Sequence, residues 1–434
     1  MKYARGWLGM AFGTLLLSAA ACGSSHGVTS SGTHGGGGSA GSTSGHGAGS
    51  TVSTGAGNAG TTGSTTGSTS TGSTTGSGGG TSGSDVWVMG YYASWTAPAN
   101  GGDYDVSAIH WDGLTHVAAA FYIPDDNADW QAGNFDDATA AALISAAHAH
   151  GKKALASIGG ADSGAGFEGA TQNAMSKLVD NLAALLAMGY DGIDIDWEGG
   201  NLSTQQDQEL ETSLIMALRT KSPNAILTLT AGIENENFVD DLSWYGTIAA
   251  QLDRINVMRY GMAGAWQGWE SWHSSPLHWN QNGSTPTGID TTVGHYLAAG
   301  VPAGKLGVGA GFYGECYTAP VHGPAQMLGG SMVAADDGTM TYTNIMKSFY
   351  AASAYHFDAA AGVPYLSLDG NNAQGCTYVT YEDPMSLAQK GAWVRSKGLG
   401  GVILWELSEG YDPSGATVQA QNPLVEVMRT AFLQ

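Results

Sequence analysis

The stretch YDGIDIDWEGG, residues 190 to 200, places Asp194, Asp196 and Glu198 at every second position, with Ile193, Ile195 and Trp197 between them. In a β-strand, side chains two apart point the same way, so the acids form a row with neighbours about 7 Å apart at the backbone. The apolar residues face the other way and can pack. Three readings fit such a row: a solvated edge of an antiparallel sheet, a site for a hard cation, or acid/base chemistry. Three ionised carboxylates in one row repel strongly, so a proton stays on one of them near neutral pH, which makes a general acid. The segments on both sides read as helices, which argues against the solvated edge.

Those neighbours set the fold. Met175, Leu178, Val179, Leu182, Leu185 and Leu186 recur at helical spacing before the row, and Gly189 ends that helix. After the row, Ser203 and Gln206 suit a capping box, leading to Leu210, Leu214, Ile215 and Leu218 on one face, with Pro223 as a stop. The pattern of a short apolar strand and then a longer helix repeats. Strands are expected at 86–92, 114–122, 152–158, 191–198, 225–231, 254–260, 305–313 and 400–407. Eight β/α units in roughly 350 residues predict a (β/α)8 TIM barrel, with a doubly wound open sheet as the alternative. Residues 314 to 383 are too many for one loop and helix and read as a small insertion between strands seven and eight. It would wall one side of a cleft.

The rest of the chain narrows the function. It carries 15 basic and 37 acidic residues, a formal charge of −22, which disfavours nucleic acid and anionic membrane surfaces as partners. Only 12% of residues are charged, against 13 Trp and 18 Tyr, whose flat faces suit the stacking of sugar rings. Residues 1–22 read as an export signal: basic MKYAR, an apolar stretch from Trp7 to Ala21, and then Cys22. The ending LSAAACGSS resembles a lipoprotein signal in which Cys22 becomes the lipidated first residue, although Ala19 stands where Leu or Val is usual. Ordinary secretion is the other outcome. Residues 23–84 are almost entirely Gly, Ser, Thr and Ala and read as an unfolded tether spanning about 45 Å. The folded domain then runs from 85 to 434. Apart from Cys22 the chain has only Cys316 and Cys376. In an oxidising compartment these two are expected to pair and staple the base of the insertion; two buried free thiols are the alternative. The histidines show no zinc spacing, and neither a metal nor another cofactor is expected.

In a TIM barrel, catalysis sits at the C-terminal ends of the strands, where Glu198 falls. DGIDIDWE (191–198) resembles the DGxDxDWE signature of glycoside hydrolase family 18, the family of many chitinases. SIGG (157–160) is similar to its SxGG motif. GYYASW (90–95), THVAAAF (115–121), MRY (258–260) and GVILWE (401–406) follow its first, second, sixth and eighth strands in order. The resemblance implies that Glu198 protonates the glycosidic oxygen, that Asp196 orients the substrate's acetamido group, and that Asp194 shares a proton with Asp196. Tyr260 would bond the acetamido oxygen and Trp405 would floor the distorted sugar. Ser157, Tyr91, Phe121 and Met258 would line or support the site.

Two carboxyls leaving one strand in one direction cannot easily flank a sugar, as most glycosidases require. An N-acetyl group can replace the second carboxylate as an internal nucleophile, with retention of configuration. The expected substrate is chitin or its oligomers, cut by a monomer that meets a membrane only through an N-terminal lipid. An endo-acting N-acetylglucosaminidase on glycoprotein glycans and a non-catalytic sugar-binding protein are the alternatives. The family usually carries Asp or Asn after the strand-six tyrosine, whereas this chain has Gly261. The loop that follows, GMAGAWQGWESWHSSPLHW, holds Trp266, Trp269, Trp272 and Trp279, of which Trp266 is expected to stack on sugar.

Overall fold

The eight apolar segments form the eight staves of a closed parallel barrel. A computed structural model describes residues 86–131, 135–161, 163–198, 204–232, 242–262, 264–265, 268–279, 288–331, 333–335 and 338–434. The export signal, Cys22, the tether and Trp266 lie outside the described residues. The first seven barrel strands are β1 (Trp87–Ala93), β2 (His116–Tyr122), β3 (Lys153–Gly160), β4 (Gly192–Trp197), β5 (Ile226–Ala231), β6 (Arg254–Val257) and β7 (Leu306–Gly311). After five further strands, β13 (Gly401–Trp405) closes the barrel between β7 and β1. The TIM-barrel expectation holds, and the open sheet is excluded by the β1–β13 pairing of Trp87 with Gly401 through Gly90 with Leu404.

Helices α1 (Asp137–Ala149), α2 (Gly164–Asn173), α3 (Met175–Met188), α4 (Gln205–Lys221), α5 (Ser243–Ile248) and α6 (Ile289–Ala298) follow their strands. Gly189 ends α3 at φ 121°, a conformation that a Cβ would strain. The cap of α4 lies one residue later than the sequence suggests. Thr204, in extended backbone, accepts from the Asp207 N–H at 3.1 Å, while Ser203 falls outside the described residues. Leu214, Ile215 and Leu218 of α4 are fully buried against the barrel, each contributing about 1.5–3 kcal/mol.

Outward-facing strand residues pack on these helices, and a separate cluster of Met89, Tyr91, Ala118, Ala120, Phe121, Leu155 and Ile403 fills the barrel interior. The alanines keep this interior narrow on β2 and leave room for the larger side chains at its mouth.

The insertion between β7 and β13 is an antiparallel sheet of five strands: β8 (Gly314–Thr318), β9 (Val333–Ala335), β10 (Tyr355–Asp358), β11 (Val363–Ser367) and β12 (Cys376–Tyr381), in the order β10-β11-β12-β8-β9. Cys316 on β8 and Cys376 on β12 form a disulfide across neighbouring strands. Among the described residues, no helix is long and apolar enough to cross a membrane.

Candidate active site

Alternation on β4 turns Asp194 and Asp196 into the barrel and Ile193, Ile195 and Trp197 toward the helices, where Trp197 stacks on Phe167 at 4.9 Å. The acids grow more accessible toward the strand end: Asp194 is fully buried, Asp196 is 3% exposed, and Glu198 is partly exposed. Asp194 is held from three strands. Its Oδ2 accepts from Tyr91 Oη of β1 and Ser157 Oγ of β3, each at 2.8 Å, and its Oδ1 accepts from Thr228 Oγ1 of β5. Parallel register places these donors, since Ser157 and Thr228 are the two cross-strand neighbours of Asp194.

Burial pushes the Asp194 carboxyl up, while the three hydroxyls pull it back down. Asp196 has less help. Burial, then the charges of Glu198 and Asp194, push its proton affinity well above the usual carboxylate range, with a bond from Thr230 opposing them. Its Oδ1 has no hydrogen-bond partner among the described residues and is free to receive one. Burial and mutual repulsion thus both favour the protonated form of the buried acids of the row.

The backbone around the row is pinned by glycines and by Ser163. A Cβ on Gly159 would stand 2.0 Å from the Asp196 carbonyl, and one on Gly160 would stand 2.5 Å from the Phe121 ring. Ser163 Oγ lies 3.4 Å from the Asp196 carbonyl and from the Glu198 N–H.

Tyr260, just beyond β6, is buried, with its ring edge-on to Tyr313 at 5.9 Å. Gly309 of β7 makes space for it, since a Cβ there would meet Tyr260 Cε1 at 2.8 Å. Burial, Tyr313 and the three acids of the row all raise its phenol, which stays protonated. Met258 is buried two residues earlier, where its N–H donates to the Ala231 carbonyl at 3.0 Å.

Trp405, at the end of β13, stacks on Phe121 at 5.4 Å and 19° and meets Tyr91 edge-on at 5.4 Å. Trp95 extends this platform toward solvent, 49% exposed and 6.2 Å from Trp405. Trp269 and Trp272 of the loop after β6 are buried and belong to the packing.

The structure thus gathers Asp194, Asp196, Glu198, Tyr260, Tyr91, Ser157, Phe121 and Trp405 at one barrel mouth. Sequence reasoning missed Ser163, Thr228, Thr230 and Trp95. The alternation in ILTLTA (226–231) points both threonines the same way, and a strand beside the acidic one is where such inward hydroxyls matter. Among the described residues, no group of three or more His, Cys, Asp or Glu is arranged to hold a metal ion.

Comparison with known proteins gives the same picture. The model of the family described as glycosyl hydrolases family 18 matches residues 87–410. Chitinase A1 of Niallia circulans is 31% identical over 249 residues, which cover 50% of this chain and 34% of that protein. Chitinase 1 of Aphanocladium album is 27% identical over 285 residues, covering 62% of this chain and 64% of that protein. The chain thus spans about a third to just under two thirds of these two relatives. The solved structure of the Ostrinia furnacalis Group IV chitinase superposes with a TM-score of 0.66 at 22% identity, covering 81% of this chain and 100% of that one, which bears on fold alone.

Proposed function

The chain belongs to glycosyl hydrolases family 18, and on that premise we propose that it is a chitinase, hydrolysing β-1,4 bonds between N-acetylglucosamine units with retention. In this reading Glu198, the most accessible acid of the row, protonates the glycosidic oxygen as the bond to the anomeric carbon breaks. The acetamido oxygen of the same sugar attacks that carbon from the opposite face and forms an oxazolinium ring. Asp196, whose Oδ1 lacks a partner among the described residues, takes the acetamido N–H, and the Tyr260 hydroxyl donates to the acetamido oxygen. Water then adds to the anomeric carbon from the face that the leaving group vacated. It returns a proton to Glu198, and the ring opens. Asp194 stays fixed by its three hydroxyls and sets how tightly Asp196 holds the shared proton. Trp405 forms the floor under the sugar.

The observation that carries the proposal is the row itself: Asp194 buried and held by three hydroxyls, Asp196 with an Oδ1 that has no partner among the described residues, and Glu198 partly exposed at the strand end. A sugar-binding protein without turnover is the second reading, favoured by Gly261 where the family usually has Asp or Asn. Glu198 at the end of the signature argues for turnover. Export through residues 1–22, lipid attachment at Cys22, a tether over 23–84 and action as a monomer complete the proposal.

Product analysis on N-acetylglucosamine oligomers and on N-glycans, with Glu198→Gln as control, tests it. Cleavage of the tetramer and longer chitin oligomers by the wild type alone is expected. Cleavage confined to N-glycans assigns an endo-N-acetylglucosaminidase, and binding without cleavage assigns the non-catalytic reading.

A further inference from the structure

Tyr260 sits between two peptide groups, and two adjacent serines of the loop after β6 grip one each. Ser275 Oγ donates to the Arg259 carbonyl, which belongs to the peptide before Tyr260. Gly261 N–H, in the peptide after it, donates to Ser274 Oγ at 3.1 Å, and Met262 N–H donates to the Ser274 carbonyl at 2.9 Å. These two planes set the φ and ψ of Tyr260 and so the direction of its side chain. Gly261 itself, at φ 62° and without a side chain, gives the turn no side-chain anchor.

The serines are held differently from behind. Ser274 N–H donates to Thr380 Oγ1 of β12 at 3.2 Å, and Thr380 is the cross-strand neighbour of the buried Glu315 on β8. Ser275 Oγ accepts from Lys390 Nζ at 2.8 Å. Lys390 lies on the helix Pro384–Ser396, just ahead of β13, and pairs with Glu382 at the exit of β12. Lys390 is 1% exposed and Glu382 is 2% exposed. The acid is satisfied on its other side too, because Glu382 Oε2 accepts from Ser386 Oγ at 2.6 Å.

Stability alone does not account for such a pair, since replacing a buried ion pair by apolar side chains of similar volume is often neutral or stabilising. The loop also has anchors of its own. His273, two residues before Ser275, is bonded through Nε2 to Asp358 at 3.1 Å and through Nδ1 to Tyr378 Oη at 3.0 Å, both on the insertion. What the pair adds is a directed N–H. Ser275 has one hydroxyl hydrogen, and with Lys390 donating to its oxygen, that hydrogen is left to point at the Arg259 carbonyl.

We propose that Ser275 is a positioning residue for Tyr260 and that the buried Lys390–Glu382 pair aims it. The inference rests on the chitinase reading, in which the Tyr260 phenol meets the substrate. The phenol oxygen ends a side-chain lever, so a tilt of about 10° in the peptide at its base moves it by about 1 Å, a displacement that costs about ten- to a hundredfold in rate. The helix before β13 and the exit of the insertion thereby join the catalytic apparatus through one hydroxyl.

The test is a double-mutant cycle between Ser275→Ala and Tyr260→Phe, read as kcat and KM on the N-acetylglucosamine tetramer, with Tm for each variant. Ser275→Ala is expected to lower kcat about tenfold and to leave KM within about twofold. Ser275→Thr, which keeps the hydroxyl, retains most of kcat. In the Tyr260→Phe background, Ser275→Ala adds less than about a twofold loss, because the phenol it positions is gone. Replacing the pair as a whole, Lys390→Met with Glu382→Leu, separates positioning from stability: Tm stays equal or rises, while kcat falls about three- to tenfold. Where Ser275→Ala fails to fold, this replacement enters the same cycle with the same expectation. Unchanged kcat in these variants, or losses that multiply with those of Tyr260→Phe, would overturn the positioning role alone. A wild type that turns over no N-acetylglucosamine oligomer would overturn the chitinase reading and this role with it.

Discussion

Replacing Glu315 by Gln should change how the stability of the fold responds to pH, and the structure sets the size of the change. Burial pushes the Glu315 carboxyl from its ordinary 4.5 up to about 8. Because the folded value is raised, the native state keeps a proton that the unfolded chain releases above pH 4.5. The associated stability is therefore intact below pH 4.5 and is lost as pH rises toward 8, at about 1.4 kcal/mol per unit. Between pH 5 and pH 8 the loss from this one group comes to about 3.5 kcal/mol. Gln cannot ionise and loses nothing. Asp194, Asp196 and Glu211 also carry raised carboxyls, so both proteins weaken with pH, and these shared contributions cancel in the difference. Urea unfolding of wild type and variant at half-unit intervals gives that difference directly. The gap should widen in favour of Gln by about 3 to 4 kcal/mol from pH 5 to pH 8. A gap constant to within about 0.5 kcal/mol would refute the claim that the buried carboxyl is neutral in the fold.

Other substitutions probe the remaining parts. Changing both Cys316 and Cys376 to Ala opens a loop closed across 60 residues, with an expected loss of about 4 kcal/mol in denaturant unfolding; a loss under about 1 kcal/mol would contradict the chain-entropy account. Tyr91→Phe removes one of the three hydroxyls that lower the Asp194 carboxyl, so the row holds its proton more tightly. The alkaline limb of the kcat profile should then move to higher pH, while a shift to lower pH would show that Tyr91 acts otherwise. Gly160→Ala puts a Cβ at φ 91° against the Phe121 ring. It should cost about 1–3 kcal/mol and push Phe121 off Trp405, visible as a lower Tm with raised KM; an unchanged Tm would argue that the strand end relaxes freely.

Much of the barrel is legible in the sequence because parallel strands buried on both faces read as short apolar runs, and all eight staves fall where those runs lie. The acidic row is legible for the same reason, since acids at alternate positions of a buried strand must share the face turned into the barrel. The insertion registers only as an overlong gap. Its strands, such as YHFD and VPYLS, are short and polar-edged, too brief for a period to emerge. At the start of α4 the residues Ser203 and Thr204 offer two overlapping capping patterns, and only the backbone chooses Thr204. The supports of the site are the hardest to foresee. Thr228, Ser163 and Ser274 reach Asp194, the backbone of the row and the Gly261 N–H beside Tyr260 through register and loop packing.

The central claim is that a proton shared along β4 reaches the leaving oxygen from Glu198 while the substrate's own acetamido group closes on the anomeric carbon. Proton NMR of the N-acetylglucosamine tetramer during the first minutes of cleavage by the wild type reads the new anomeric centre before mutarotation. The account predicts that the β-anomer forms first and that none forms with Glu198→Gln. Initial release of the α-anomer would contradict it.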